Sequence, residues 1–226
     1  MVKPIPDAGP LAAVIFDFDG VVLDSEPQHQ EAFRRLFEKH GVAFSETPDD
    51  FTGIPARDNI RRVYRKAGIP LSDTQMDALN HERDTLYLAV MQETGVRTLP
   101  GAKQLLASLT SKKIPVALAS STNSAVLAKL LPLIRLQDAF DAVVGGDHVA
   151  RGKPAPDIFL KAAEELGVPP RHCIVIEDAN AGVQAANAAG MRVLMVRNDR
   201  IRQQKEKANR FVDSLVGVSP DFLASL

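Results

Sequence analysis

Leu11-Ala12-Ala13-Val14-Ile15-Phe16 runs straight into Asp17-Phe18-Asp19-Gly20. A near-continuous apolar run of this length suits a strand buried on both faces, and it ends on two carboxylates. Further runs of strand length are Val116–Ala119, Ala142–Val144, Cys173–Ile176 and Val193–Val196. The segments between them read as helices over about 101–111, 123–131, 157–166 and 182–189. Asp157 is expected to cap the third, and Gly167 and Gly190 to stop the third and fourth. Strands alternating with helices imply an α/β doubly wound parallel sheet.

Between the first strand and the rest, no strand is legible from about 26 to 97. A crossover needs only about a dozen residues, and about seventy stand here. His29–Lys39 places Ala32, Phe33, Leu36 and Phe37 on one helical face, and Asp58–Ala67 and Ser72–Glu93 are helical in pattern. The expected organisation is a core of 1–25 and 98–226 with an all-helical cap of 26–97. Its linkers fall near Asp24–Pro27 and Thr94–Pro100, as in a hinged lid.

The bulk numbers are those of an ordinary globular chain. Of 226 residues, 45% are hydrophobic and 24% charged, so a core needs no covalent staples. A net charge of −1 gives no general affinity for nucleic acid or anionic membranes. The basic run Arg197, Arg200, Arg202, Lys205, Lys207 and Arg210 reads as a solvated helix face. Cys173 stands alone, excluding an intrachain disulfide, and reads as a buried structural thiol. No apolar stretch reaches the ~20 residues of a membrane helix. Met1–Pro10 has three prolines and reads as a loose leader without a signal sequence. The cytoplasm is the expected location and a monomer the expected state.

In an open α/β sheet, ligands sit beyond the carboxyl ends of the strands. The first strand delivers Asp17 and Asp19, the second Ser120-Ser121-Thr122-Asn123, the third a loop with Lys153, and the fourth Glu177-Asp178. Carboxylates gathered at one rim raise one another's pKa and need positive charge to hold them. Lys153 supplies one charge, and a hard divalent cation supplies two more. An all-oxygen set with open positions suits Mg²⁺; without a Cys/His cluster, zinc is disfavoured.

Asp17-Phe18-Asp19-Gly20-Val21-Val22-Leu23-Asp24-Ser25-Glu26 resembles the first motif of haloacid dehalogenase superfamily hydrolases. Ser120 resembles the second motif, Lys153 the third, and Glu177-Asp178-Ala179-Asn180-Ala181-Gly182 the fourth. The likeness runs from Leu11 to about Val196, and is strongest to the β-phosphoglucomutase-like group with a helical type 1 cap. It implies a Rossmann-like core and a phosphatase acting on a small phosphorylated metabolite, a sugar phosphate by preference. Asp17 would be the nucleophile that forms an aspartyl-phosphate, and Asp19 the acid and then the base. Ser120 would hold a phosphoryl oxygen, and Lys153 would neutralise charge beside it. Asp17, the Asp19 carbonyl, Glu177 and Asp178 would surround Mg²⁺. Asp19 also argues against dehalogenation proper, because a leaving halide needs no proton.

The resemblance further assigns Gly20, His29, Gly53, Arg57, Arg83, Ser121, Thr122 and Asn123 to the substrate side. Five of them have a plainer role: His29 an exposed helix start, Arg83 a surface salt bridge, Ser121 to Asn123 a helix cap. In Gly53-Ile54-Pro55-Ala56-Arg57-Asp58, related mutases carry arginine where this chain has Ala56, and that arginine grips a second phosphate. Arg57 is adjacent, but a neighbouring helix residue is expected to point elsewhere. The departure favours a phosphatase over a β-phosphoglucomutase-type isomerase. A non-catalytic scaffold of the same fold has no use for the gathered carboxylates.

Overall fold

The structure is a computed structural model and describes residues 10–226; the leader reading falls mostly on residues outside that range. Six parallel strands form one sheet in the order β3-β2-β1-β4-β5-β6. They are β1 (Ala13–Phe16), β2 (Val116–Ala119), β3 (Ala142–Val144), β4 (Cys173–Glu177), β5 (Arg192–Val196) and β6 (Arg210–Val212). From β1 the chain builds outward through β2 and β3, then returns to the other side of β1 for β4 to β6. The order reverses at β1, where a doubly wound sheet opens a crevice at its carboxyl ends.

Alternate strand residues face opposite layers, as the two-residue period requires. Val14, Phe16, Val116, Leu118, Ile174 and Ile176 pack with α5 (Ala102–Ser111), α6 (Ser124–Leu133) and α9 (Pro220–Ala224). Ala13, Ile15, Ala117, Ala119, Val175 and Val193 pack with α7 (Asp157–Leu166) and α8 (Asn180–Ala188). Cys173 is buried in the second layer, and burial pushes its thiol up to about 11.

The insert is helical: α1 (Glu26–Lys39), α2 (Pro48–Phe51), α3 (Ala56–Lys66) and α4 (Asp73–Thr94). It carries its own apolar cluster of Phe33, Leu36, Phe37, Phe51, Ile60, Val63 and Met76. Ser72 caps α4 by accepting from the Gln75 amide, and the Gln75 side chain accepts from the Ser72 amide in return. The two linkers meet, with Leu23 bridging Thr98 in antiparallel fashion and the Asp24 amide donating to the Arg97 carbonyl at 3.0 Å. Tyr87 and Met91 of α4 join the cluster that contains α6, so the cap rests on the core.

Two sequence expectations fail here, and two short elements leave no sequence pattern. Residues 197–210 form no helix; they are a loop, a 3₁₀ turn at Lys205–Lys207 and the start of edge strand β6. That strand is three residues long and half-exposed, so no apolar run announces it. Asp157 is the first residue inside α7 and does not cap it; its carboxylate accepts from Arg151 at 2.8 Å and 3.0 Å. The short helix α2 begins on Pro48, whose missing amide donor costs nothing at a helix start.

Candidate active site

Strand ends set the site. Asp17 follows β1, Glu177 closes β4 and Asp178 comes next, and one carboxylate oxygen of each lies within 4.8 Å of the others. All three are buried. Lys153, from the loop after β3, donates to Asp17 Oδ1 at 2.6 Å and to Glu177 Oε1 at 2.7 Å. The Glu177 Oε2 accepts from the amides of Asp178 and Ala179, both at 2.7 Å. Asn198, two residues past β5, donates to Asp178 Oδ2 at 2.7 Å, which leaves the buried Asp178 Oδ1 without a partner.

Three buried carboxylates against one lysine leave negative charge uncompensated. Burial pushes the Asp17 carboxyl up to about 8, with Glu177 and Asp19 adding to the rise and Lys153 opposing it. Burial, with Glu177 and Asp17, raises Asp178 far above the carboxylate range. Burial works against a charged Lys153, but Asp17 and Glu177 outweigh it and hold its proton more firmly. The residues fit a hard divalent cation: oxygen donors only, excess negative charge, and one orphaned carboxylate oxygen. Glu177, engaged on both oxygens, serves first to hold Lys153 and the turn into α8.

Two glycines are dictated by these carboxylates. A Cβ on Gly20, whose φ is +83°, would overlap the Asp178 carboxylate, and a Cβ on Gly182 would overlap that of Glu177. Gly20 is not among the residues lining the cavity between core and cap; its place is to make room for Asp178.

Asp19 faces the other way, into the cap. Its Oδ1 lies 2.6 Å from Ser25 Oγ, 2.9 Å from His29 Nε2 and 3.2 Å from Tyr87 Oη. Its Oδ2 lies 2.8 Å from Thr122 Oγ1 and 3.3 Å from Ser120 Oγ. Burial pushes the Asp19 carboxyl up, but the facing His29 ring and hydrogen bonds from His29, Ser25 and Thr122 outweigh it. The carboxyl is therefore held below the usual range.

His29 stacks on Tyr87 with centroids 4.1 Å apart, and its Nδ1 meets an Arg83 Nη. Arginine offers only donors, so Nδ1 accepts and Nε2 is left to donate to Asp19. His29 is therefore not an exposed helix start. Arg83 is not a surface residue either: it is buried, lies over the Phe33 and Tyr87 rings, and reaches Asp84 at 3.3 Å.

A cavity of about 400 Å³ separates core and cap. Asp17, Asp19, His29, Gly53, Arg57, Arg83, Ser121, Thr122 and Asn123 reach it. Arg57 thus points inward after all, where it pairs with Asp77 of α4. Asn123 caps α6 by accepting from the Ala125 amide at 2.9 Å, so lining and capping coexist. Cap and core touch where Ser121 Oγ donates to the Gly53 carbonyl at 3.4 Å and the Arg202 amide to Asp49 at 2.6 Å.

A family model for the haloacid dehalogenase-like hydrolases matches residues 11–190. The chain belongs to that family. It is 36% identical over 188 residues to the Escherichia coli fructose-1-phosphate phosphatase YqaB, covering 82% of this chain and 96% of that one. It is 34% identical over 185 residues to the β-phosphoglucomutase of Bacillus subtilis, covering 80% and 81%. The structure matches a crystalline mutant of CbbY from Rhodobacter sphaeroides in complex with xylulose-(1,5)bisphosphate. That match has a TM-score of 0.83 at 26% identity, covering 92% and 96% of the two chains. The chain is thus an enzyme of a hydrolase family whose relatives include named phosphatases. Among the described residues, no helix is long and apolar enough to cross a membrane.

Sequence reading missed several members of the site. Asn198 follows β5 as Asp17 follows β1, and the strand-end rule would have reached it had the basic run not been read as helix. Ser25 lies inside the quoted motif. Tyr87, in contrast, is one apolar-face residue of a long helix, and its hydroxyl contact with Asp19 crosses 68 positions.

Proposed function

We propose that this chain is a Mg²⁺-dependent phosphomonoester hydrolase acting on a small phosphorylated metabolite, a sugar phosphate, through an aspartyl-phosphate on Asp17. The observation that carries the reading is the division of the cavity floor. Asp17, paired to Lys153, stands on the side of Glu177 and Asp178, while Asp19, 2.9 Å from His29, stands on the side of the cap. A nucleophile and a proton carrier set apart in this way suit displacement at phosphorus with a leaving alkoxide.

Asp17 attacks phosphorus as the carboxylate, with Lys153 balancing charge beside it. Ser120 Oγ and Thr122 Oγ1 hold Asp19 from the core side, and Ser25, His29 and Tyr87 hold it from the other. An arriving phosphate dianion adds negative charge beside Asp19 and drives it toward its protonated form. Asp19 then gives that proton to the leaving oxygen and later takes one from the hydrolytic water. Mg²⁺, held by Asp17 and Asp178 with Glu177 behind them, would neutralise phosphoryl oxygens. Residues 26–97 act as a lid domain over the core of 1–25 and 98–226, excluding bulk water while the proton moves. Phosphate monoesters hydrolyse so slowly unaided that enhancements up to ~10²¹ are needed, so these effects must combine.

Purified protein with Mg²⁺ should release inorganic phosphate from p-nitrophenyl phosphate and from a hexose or pentose phosphate. Asp17→Asn should abolish both; retained release in that variant would refute the nucleophile.

A further inference from the structure

We infer that the substrate is a monophosphate on a neutral, hydroxyl-rich body, and that the cap rejects a second anionic group. This rests on the hydrolase reading and narrows its substrate class. Asp77, Asn80 and Asp84 follow one another on α4 at spacings of three and four, one face of the helix, and all line the cavity. Glu26 of α1 and Asp147, from the turn after β3 on the core, also line the cavity.

Among the described residues, the lysines and arginines lining this cavity are Arg57 and Arg83, and both are engaged. Arg57 is paired to Asp77. Arg83 is held by His29 and Asp84 between the Phe33 and Tyr87 rings. Each of the two cations is thus set against an α4 carboxylate that offsets its charge.

Asn59 gives independent support. It is buried and lines the cavity, and its Nδ2 donates to the carbonyls of Phe51 at 3.2 Å and Ile54 at 3.3 Å. That fixes the amide so that Oδ1, which has no partner, is the end left to accept. Oδ1 and the α4 carboxylates want donors. A hydroxyl donates to them, whereas an ionised phosphate or carboxylate can only accept and would be repelled. The contrast is with CbbY, crystallised with a bisphosphate.

The test measures phosphate release with Mg²⁺ from p-nitrophenyl phosphate, a ketose 1-phosphate and the bisphosphate of the same ketose. The expected kcat/KM favours the monophosphate by at least about a hundredfold, and Asp77→Asn or Asp84→Asn narrows that ratio by about tenfold or more. Equal turnover of the two sugars by the wild-type chain, or a ratio that neither variant moves, overturns the inference. If p-nitrophenyl phosphate is still hydrolysed in that case, the hydrolase reading survives it. Failure of the wild-type chain to release phosphate from any of the three overturns both.

Discussion

His29 Nε2, on the first cap helix, lies 2.9 Å from Asp19 Oδ1, two residues beyond the nucleophile candidate on the core. Asp19, the proposed proton carrier, is therefore gripped by the cap as well as by the core. Tyr87 Oη reaches the same oxygen at 3.2 Å. Tyr87→Phe removes a donor to the ionised form and should raise the pKa of Asp19. The limb of the pH–rate profile that reports a protonated Asp19 should move to higher pH by about one to two units, since a hydrogen bond to a charged group is worth about 1.5–3 kcal/mol. An unmoved profile would show that Tyr87 only packs.

Lys153 is the one basic side chain in contact with both Asp17 and Glu177 among the described residues. Lys153→Met leaves those buried carboxylates unpaired, at a cost of about 3–5 kcal/mol. For a chain of this size, thermal melts should fall by about 6–20 °C. The sign with pH follows from Asp17, whose folded pKa already stands above its ordinary value at about 8. The folded state then binds more protons than the unfolded one between about pH 4 and that value, so stability falls as pH rises through the window. The deficit of the variant should be greatest near pH 8 and should narrow on acidification.

Mg²⁺ competes with those same protons. Its stabilisation of the folded chain should be larger at about pH 8 than at about pH 6, approaching about 2.7 kcal/mol at a hundred times Kd. Asp178→Asn should remove most of the shift, because its orphaned Oδ1 is the oxygen with nothing else to bind. Melts with Mg²⁺ and with chelator, in both proteins, decide the matter; an equal Mg²⁺ response in the variant would exclude Asp178 as a ligand.

Gly20→Ala and Gly41→Ala make a matched pair. Both positions have positive φ, +83° and +65°, but a Cβ meets the Asp178 carboxylate at the first and nothing within 4 Å at the second. Each should lose about 1 kcal/mol to backbone strain. Only Gly20→Ala should also weaken Mg²⁺ binding, by about tenfold or more, as read by metal titration.

The sheet was legible because strands buried on both faces advertise themselves. Val116–Ala119 and Ala142–Val144 agree with the structure residue for residue. Carboxylates at strand ends were legible for the same reason, since the apolar run says where the strand stops. The strand β6 was not, because an edge strand with charged neighbours buries too little to leave a pattern. Cap contacts were the least legible. Arg83 and Asp77 sit on a long helix whose polar residues could face water or a cavity, and only tertiary packing decides which. Asn198 obeys the same strand-end rule as Asp178, but the run of charges that follows β5 masks it.

The bridge between Leu23 and Thr98 ties the two linkers of the cap side by side, which bears on how a lid there would travel. Two independent tethers would let the cap slide and tumble, whereas two cords stitched side by side act as a single pivot. On the proposed reading, opening is a swing about one axis that should carry His29 and Tyr87 away from Asp19 together, parting the proposed proton carrier from its cap partners as bulk solvent enters.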